Sequence, residues 1–237
     1  MQRIDFDTVD STNTYLKNNY GELKDMTFVS ALLQTAGRGR NNRKWLSEKG
    51  DSLMFSILLK DEVFLANYRC LSVLAAYSVI KALEQYGIRD LSIKWPNDVY
   101  AGEEKICGIL LEGVAREMME CLIIGTGINV NQESFEGEYL RKPTSVYLQT
   151  GKHVELEELK NTVYAQFSEN LELLKKGHDF YPEIARYDYL KGRNAVAEIN
   201  GQREEVMIRG INDNYSLRIC YRGNESDIES GEITFHL

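Results

Sequence analysis

The chain has 237 residues, enough for one large domain or for one domain with a small appendage. A formal net charge of −8 excludes a general binder of phosphate backbones, which needs accumulated Lys and Arg, but leaves room for a local basic site. Apolar residues make up 43% and prolines number only three, so a proper core is expected and long disordered linkers are not.

Ile4 to Val9 alternates apolar and polar residues and predicts a short strand. In "DSTNTYLKNN", Asp10, Ser11 and Thr12 can each cap a helix carrying Tyr15 and Leu16. "TFVSALLQ" is β-rich and breaks into "QTAGRGRNNRKW", a glycine-rich basic stretch. "DSLMFSILLK" puts Leu53, Phe55, Ile57 and Leu59 on one face of a strand, with Met54 and Leu58 on the other. From Asn67 to Tyr86 the period is helical, and Gly87 is placed to end the helix.

"LSIKW" reads as a strand stopped by Pro96, and "KICGILLEGV" and "ECLIIGTGINV" as an antiparallel pair. Leu159, Val163, Phe167, Leu171 and Leu174 mark another helix, and a further helical pattern surrounds Ile184. After about Lys191 the chain becomes short β-like runs punctuated by turns, the pattern of a small all-β barrel. The expectation is an α+β fold: a main domain over 1–190 with a mixed or antiparallel sheet and helices, then a β-barrel over 191–237. Strands and helices do not alternate regularly, which weighs against a doubly wound parallel sheet.

Cys70, Cys107, Cys121 and Cys220 form no C-x-x-C pair and read as free thiols in a reducing compartment. The histidines lack zinc spacing, no apolar run has membrane-spanning length, and "MQRIDFDTVDSTN" lacks a signal peptide's apolar core, so a cytoplasmic protein without a membrane partner is expected. No Walker loop or G-x-S-x-G elbow occurs, and "GTGINV" has Val130 where a dinucleotide fingerprint needs its third glycine.

Four stretches carry polar groups suited to chemistry, each beside a plainer reading. "STN" is a helix cap or a set of hydrogen-bonding groups for a polar ligand. "GRGRNNRKW" is a solvated loop or a lid, with Gly37 and Gly39 for movement, Arg38, Arg40 and Arg43 for anions, and Trp45 as a stacking face. "KWPNDVY" sets Lys94, Asn97 and Asp98 around a proline turn, where Asp98 could simply satisfy backbone. Lys105 stands at the mouth of an apolar strand, a common place for a snorkelling lysine, and Gly108 permits close approach.

Taken in order, "STN", "QTAGRGRNNRKW", "KWPNDVY", "KICGILLEG", "GTGINVN" and "SGEITF" resemble the biotin–protein ligases over essentially the whole chain. The resemblance implies a catalytic fold related to class II aminoacyl-tRNA synthetases and a two-step reaction. Biotin and ATP give biotinyl-5′-adenylate, and a lysine of a biotin carboxyl carrier protein then takes the biotin. It also implies Mg²⁺, with Asn97 on the metal side. Ser11, Thr12, Asn13, Gln34, Gly37, Arg38, Gly39, Arg40, Lys105 and Gly108 match biotin-side positions. Arg38, Arg40, Arg43, Trp45, Asn97, Lys105 and Asn129 match nucleotide-side positions, and Lys105 and Arg40 match the catalytic pair.

The first strand starts at about Arg3, so the short form without a DNA-binding domain, and no DNA partner, is expected. Some relatives dimerise by pairing sheet edges, which makes a homodimer an open expectation. Asn42 and Tyr215 stand where relatives commonly have glycine. The rival readings are a lipoate or octanoate ligase or transferase of the same fold, and a biotin-binding module without chemistry.

Overall fold

The computed structural model describes residues 2–40, 43–45, 47–137, 139, 141–199, 202–229 and 235–236. Asn42 lies outside them. The chain begins β1 (Arg3–Val9), α1 (Thr12–Asn19), β2 (Thr27–Gln34), β3 (Ser52–Leu59), α2 (Glu62–Ala66) and α3 (Tyr68–Glu84). It continues β4 (Leu91–Lys94), β5 (Asp98–Ala101), β6 (Glu104–Ala115) and β7 (Met119–Asn129). Then come α4 (Val146–Thr150), α5 (Leu156–Lys175) and α6 (Tyr181–Ile184). β8 (Asn194–Ile199), β9 (Gln202–Ile211), β10 (Leu217–Tyr221), β11 (Asn224–Ile228) and β12 (Phe235–His236) follow.

β1 to β7 make a seven-stranded mixed sheet in the order β1-β2-β3-β7-β6-β5-β4, in which only β1 and β2 are parallel. β8 to β12 make a five-stranded antiparallel sheet, ordered β11-β10-β9-β8-β12. The expected α+β architecture is present. α2, β5 and α4 lack a legible signal: each has only four or five residues, too few for a period to show. α2 is held at its start by Asp61, which accepts from the Val63 amide at 3.0 Å.

The two faces of the large sheet are unequally covered. On one, α3 and α5 bury Leu71, Leu74, Val79, Val163 and Phe167 against Phe28, Phe55, Ile57, Ile124 and Ile128. Phe28 stacks on Phe55 at 4.8 Å, and Phe167 meets Phe55 edge-on at 5.4 Å. α3 and α5 are also pinned by a buried bond from Asn170 Nδ2 to Ser78 Oγ, 2.9 Å long. On the other face α1 covers only a small cluster of Leu16, Val29, Leu58, Cys121 and Ile123. Eight residues of helix cannot cover seven strands, so much of this face remains for other business.

The small sheet docks on the β4–β5 end. Trp95 Nε1 donates to the Tyr215 carbonyl at 3.0 Å, and Asp188 accepts from the amides of Leu190 at 2.9 Å and Ile211 at 2.7 Å. Tyr215 has φ of +65°, the left-handed conformation for which glycine is expected, so tyrosine holds the glycine turn here at a cost of about 1–2 kcal/mol. Asn212 supports the turn by accepting from the amides of Asn214 and Ser216. No helix among the described residues is long and apolar enough to cross a membrane. Cys70, Cys107, Cys121 and Cys220 are all free thiols, the first three buried.

Replacing Asp188 by alanine strips two backbone amides of their acceptor. The expected outcome is a loss of about 2 kcal/mol of unfolding free energy, read as a lower urea midpoint. An unchanged midpoint contradicts the fastening role of Asp188.

Candidate active site

The open sheet face begins at α1, whose N-cap Ser11 accepts from the Thr14 amide at 3.4 Å. This puts Thr12 and Asn13, both buried, at the first turn and over the strands. The Gln34 Oε1 atom accepts from the Thr12 amide at 2.7 Å and lies 3.1 Å from Thr12 Oγ1. Thr12 Oγ1 is 2.6 Å from Ser56 Oγ, and Ser56 donates to Asn13 Oδ1 at 2.5 Å. Asn13 Nδ2 donates in turn to Glu112 Oε2 at 2.7 Å. Both ends of the Asn13 amide are thus committed, which fixes its orientation and presents a rigid polar wall.

Beside this wall the sheet is opened by three glycines. β6 and β7 pair Gly108 with Gly127, and Leu110 with Gly125. A Cβ on Gly125 would collide with the Asn13 amide. One on Gly127 would stand 2.6 Å from Trp45 Cε2, and one on Gly108 3.0 Å from Trp45 Cζ3 and 3.1 Å from Lys105 Nζ. The three glycines form a floor on which Asn13, Trp45 and Lys105 rest. Trp45 Nε1 is buried with no acceptor among the described residues, an unsatisfied donor of the kind that binding sites carry.

Residues 37–40 and 43–45 of the basic stretch run antiparallel beside the floor. Gly39 N donates to Arg43 O at 2.7 Å and Trp45 N to Gly37 O at 3.0 Å, with Arg38 bridged to Lys44. Gly37 is needed because a Cβ there would meet the Trp45 carbonyl oxygen at 2.8 Å. At Gly39 the nearest atom would be 3.7 Å away, so sterics alone do not demand glycine. Arg38 Nη2 reaches Thr14 Oγ1 at 3.2 Å and stands 3.8 Å from Glu112. Arg40 Nη1 donates to Asn97 Oδ1 at 3.1 Å, while Asn97 Nδ2 donates to the Ile109 carbonyl at 2.7 Å. Burial holds the Arg40 guanidinium below its ordinary pKa, Asp98 opposes the shift, and Arg43 adds to it. Arg43 itself is exposed.

Lys105 Nζ is 2.7 Å from Asp98 Oδ1 and 5.8 Å from the Trp45 ring centroid. Its backbone is clamped by the following loop: Lys105 N donates to Lys142 O and Thr144 N to Lys105 O, each at 2.9 Å. Asn129 faces this loop and donates to the Thr144 carbonyl at 2.9 Å. The structure therefore gathers Thr12, Asn13, Gln34, Gly37, Arg38, Trp45, Lys105 and Gly108 around one floor, with Arg40 and Asn97 at its rim. Ser11 acts as a cap, Asn129 as a fastener of the loop, and Arg43 points to no protein partner among the described residues.

Sequence reasoning missed Ser56 and Glu112. Ser56 is a polar residue on the less apolar face of an apolar strand, and Glu112 a carboxylate inside "GILLEG"; both oddities were legible signals. Asp98, first read as a turn residue, is the partner of Lys105.

With this geometry in view, comparison with known proteins places the chain. Residues 6–129 match the Biotin/lipoate A/B protein ligase family, and the chain belongs to it. It is 30% identical over 231 residues to the bifunctional ligase/repressor BirA of Escherichia coli, covering 95% of this chain and 71% of that protein. The biotin--[acetyl-CoA-carboxylase] ligase of Paracoccus denitrificans is 28% identical over 238 residues, with 95% and 97% covered. Among solved structures, the biotin protein ligase of Aquifex aeolicus in complex with biotin and ATP superposes with a TM-score of 0.87 at 32% identity. That superposition covers 99% of this chain and 98% of the other.

Gly127→Ala puts a methyl group where the Trp45 indole now lies. The expected result is a red-shifted tryptophan emission with greater quenching by iodide; an emission spectrum identical to that of the unmodified protein contradicts the packing of Trp45 on the floor.

Proposed function

We propose that this protein is an ATP-dependent ligase that joins biotin to ATP as biotinyl-5′-AMP and then transfers biotin to a lysine of a biotin carboxyl carrier protein. The observation that carries the reading is the single path from the polar wall, across the glycine floor, to Lys105. It is supported by the full-length likeness to a ligase that binds biotin and ATP. A bicyclic urea offers donors and acceptors for Thr12, Asn13, Gln34 and Ser56, and its aliphatic tail suits the glycine strip that the Trp45 ring now covers.

The first step requires a carboxylate oxygen to attack the α-phosphorus while the bond to the bridging oxygen breaks and pyrophosphate leaves with the electron pair. Two unit charges 4 Å apart repel by about 4 kcal/mol at an effective dielectric of 20. The Lys105 ammonium, a compact point charge, would stand between the two anions, with Asp98 setting its position. Arg38 and Arg40 would exchange their protein contacts for carboxylate and phosphate oxygens and seal the labile anhydride from water. In the second step the acceptor lysine's amine attacks the carbonyl carbon, AMP leaves, and the displaced proton passes to solvent.

Among the described residues no cluster of three or more His, Cys, Asp or Glu side chains could hold a metal by itself. Asn97, whose side-chain oxygen accepts from Arg40 here, would hold Mg²⁺ on the nucleotide side, where the cation would neutralise triphosphate charge. A homodimer would use the β6 edge: β5 stops at Asp98, opposite Gly108, so Leu111 to Ala115 have no strand beside them on that side among the described residues. The free buried thiols suit the cytoplasm.

The lipoate and octanoate rivals lack groups to pair with the polar wall. A dithiolane or alkyl chain would leave Asn13, Thr12 and Ser56 facing an apolar ligand. The deciding experiment is pyrophosphate–ATP exchange with biotin or lipoate as the acid. Exchange is expected with biotin alone; exchange driven by lipoate, or biotin binding without any exchange, overturns the reading.

Lys105→Ala is expected to lower the exchange rate by about two to three decades, the usual effect of removing one transition-state electrostatic group. Near-normal exchange would remove Lys105 from the chemistry. Arg40→Ala is expected to release biotinyl-AMP faster while biotin affinity changes less. Equal losses in a release assay and a biotin titration would contradict its sealing role.

A further inference from the structure

The polar wall ends on a carboxylate, and an ionised carboxylate accepts hydrogen bonds without giving any. Glu112 lies on the same face of β6 as Leu110 and Gly108, beside α1. Its Oε2 atom is 2.7 Å from Asn13 Nδ2, and its Oε1 atom is 3.8 Å from Arg38 Nη2. The Asn13 amide has to turn its nitrogen to such a partner, and its second hydrogen has the Leu110 carbonyl at 3.5 Å. Asn13 Oδ1 is left facing Ser56, whose only hydrogen goes there across 2.5 Å. Thr12 Oγ1 lies 2.6 Å from Ser56 Oγ, and with the serine hydrogen spent, the threonine hydrogen fills that contact. Gln34 Oε1, 3.1 Å from Thr12 Oγ1, is already served by the Thr12 amide at 2.7 Å. From Thr12 to Asn13, every side-chain hydrogen in the line points towards β6.

The wall consequently has one hydrogen-bonding sense. Thr12 Oγ1, Ser56 Oγ and Asn13 Oδ1 keep lone pairs but have no hydrogen left to give. They can take an N–H from a ligand, whereas a ligand oxygen there would set lone pair against lone pair. Thr12, Asn13 and Ser56 are 2%, 5% and 0% exposed, so water does not supply the missing partner. We propose that Glu112 is a positioning residue that fixes this sense and makes the site select a polar ring bearing N–H groups, such as a cyclic urea. This rests on the ligase reading above, in which the ring is that of biotin. Glu112 acts through Asn13 and adds no chemistry of its own. With an uncharged amide in its place the direction is no longer dictated. Asn13 can then turn over and donate to Ser56, which frees the serine hydrogen for Thr12 and the threonine hydrogen for the ligand.

The test titrates the protein calorimetrically with biotin and with its two cyclic carbamates, in each of which one ureido N–H is replaced by oxygen. Unmodified protein should bind biotin about ten- to hundredfold more tightly than the weaker-binding carbamate, the cost of one unpaired acceptor. In Glu112→Gln that ratio should shrink to within about threefold, because the wall can now donate. Asn13→Asp/Glu112→Gln should restore it, since the carboxylate then sits at position 13 and accepts from both neighbours. If Glu112→Gln does not fold, the comparison starts from Asn13→Asp, which sets two carboxylates face to face. The biotin affinity lost there should return when Glu112→Gln is added, and no return contradicts the proposal. An unmodified protein that does not discriminate, or an unchanged ratio in Glu112→Gln, overturns the role of Glu112 and leaves the ligase reading standing. An equal loss of both affinities does the same, because Glu112 would then serve packing alone. Unmodified protein that binds no biotin overturns the ligase reading itself.

Discussion

A ligand can lie flat on a β-sheet only where the sheet has no side chains, and the rest of this site depends on that condition at Gly108, Gly125 and Gly127. Each glycine makes room for a side chain: Gly125 for the Asn13 amide, Gly127 for the Trp45 ring, Gly108 for both Trp45 and Lys105. Glycine in a strand interior weakens the strand, since it packs nothing and loses more entropy on folding. Here the weakness is offset from the opposite face, where Phe55, Ile124 and Ile128 are sealed under α3 and α5. The lopsided distribution of helices thus compensates for the glycines. Two long helices stabilise one face so that the other can stay bare.

The polar groups around the floor are fixed before any ligand arrives. Gln34, Thr12, Ser56, Asn13 and Glu112 form one hydrogen-bonded line drawn from α1, β2, β3 and β6. Because each is bonded to the next, none can turn away, and a ligand with matching polar groups meets a preorganised surface. The charged end is built differently. Lys105 is held by Asp98, and Arg38 and Arg40 are parked on Thr14 and Asn97. Single contacts of this kind can be exchanged for phosphate or carboxylate oxygens, which suits groups that must act on a transient charge.

Much of this was legible in the sequence. The alternation in β3 and the helical spacing in α5 announced their elements because each runs long enough for its period to show. The glycine-rich basic stretch announced a loop that meets an anion, since three arginines beside a tryptophan have little reason to gather on an acidic protein. What escaped was set by contacts distant in sequence. Ser56 looks like a small residue in a strand until Thr12, 44 positions earlier, is brought beside it. Asp98 reads as a turn residue until β6 returns with Lys105. Tyr215 shows the limit from the other side: its position suggests a missing glycine, yet the backbone takes the glycine conformation with tyrosine in place.

The central claim is that the bare floor is where biotin lies, beside a wall fixed by Asn13. Calorimetric titration of biotin into the protein and into Gly125→Ala, with circular dichroism melting to confirm that the variant is folded, tests it most directly. Displacing the Asn13 amide should weaken binding by at least about a hundredfold while the fold persists, from lost hydrogen bonds and lost space together. A folded Gly125→Ala protein that binds biotin as tightly as the unmodified chain would contradict the account.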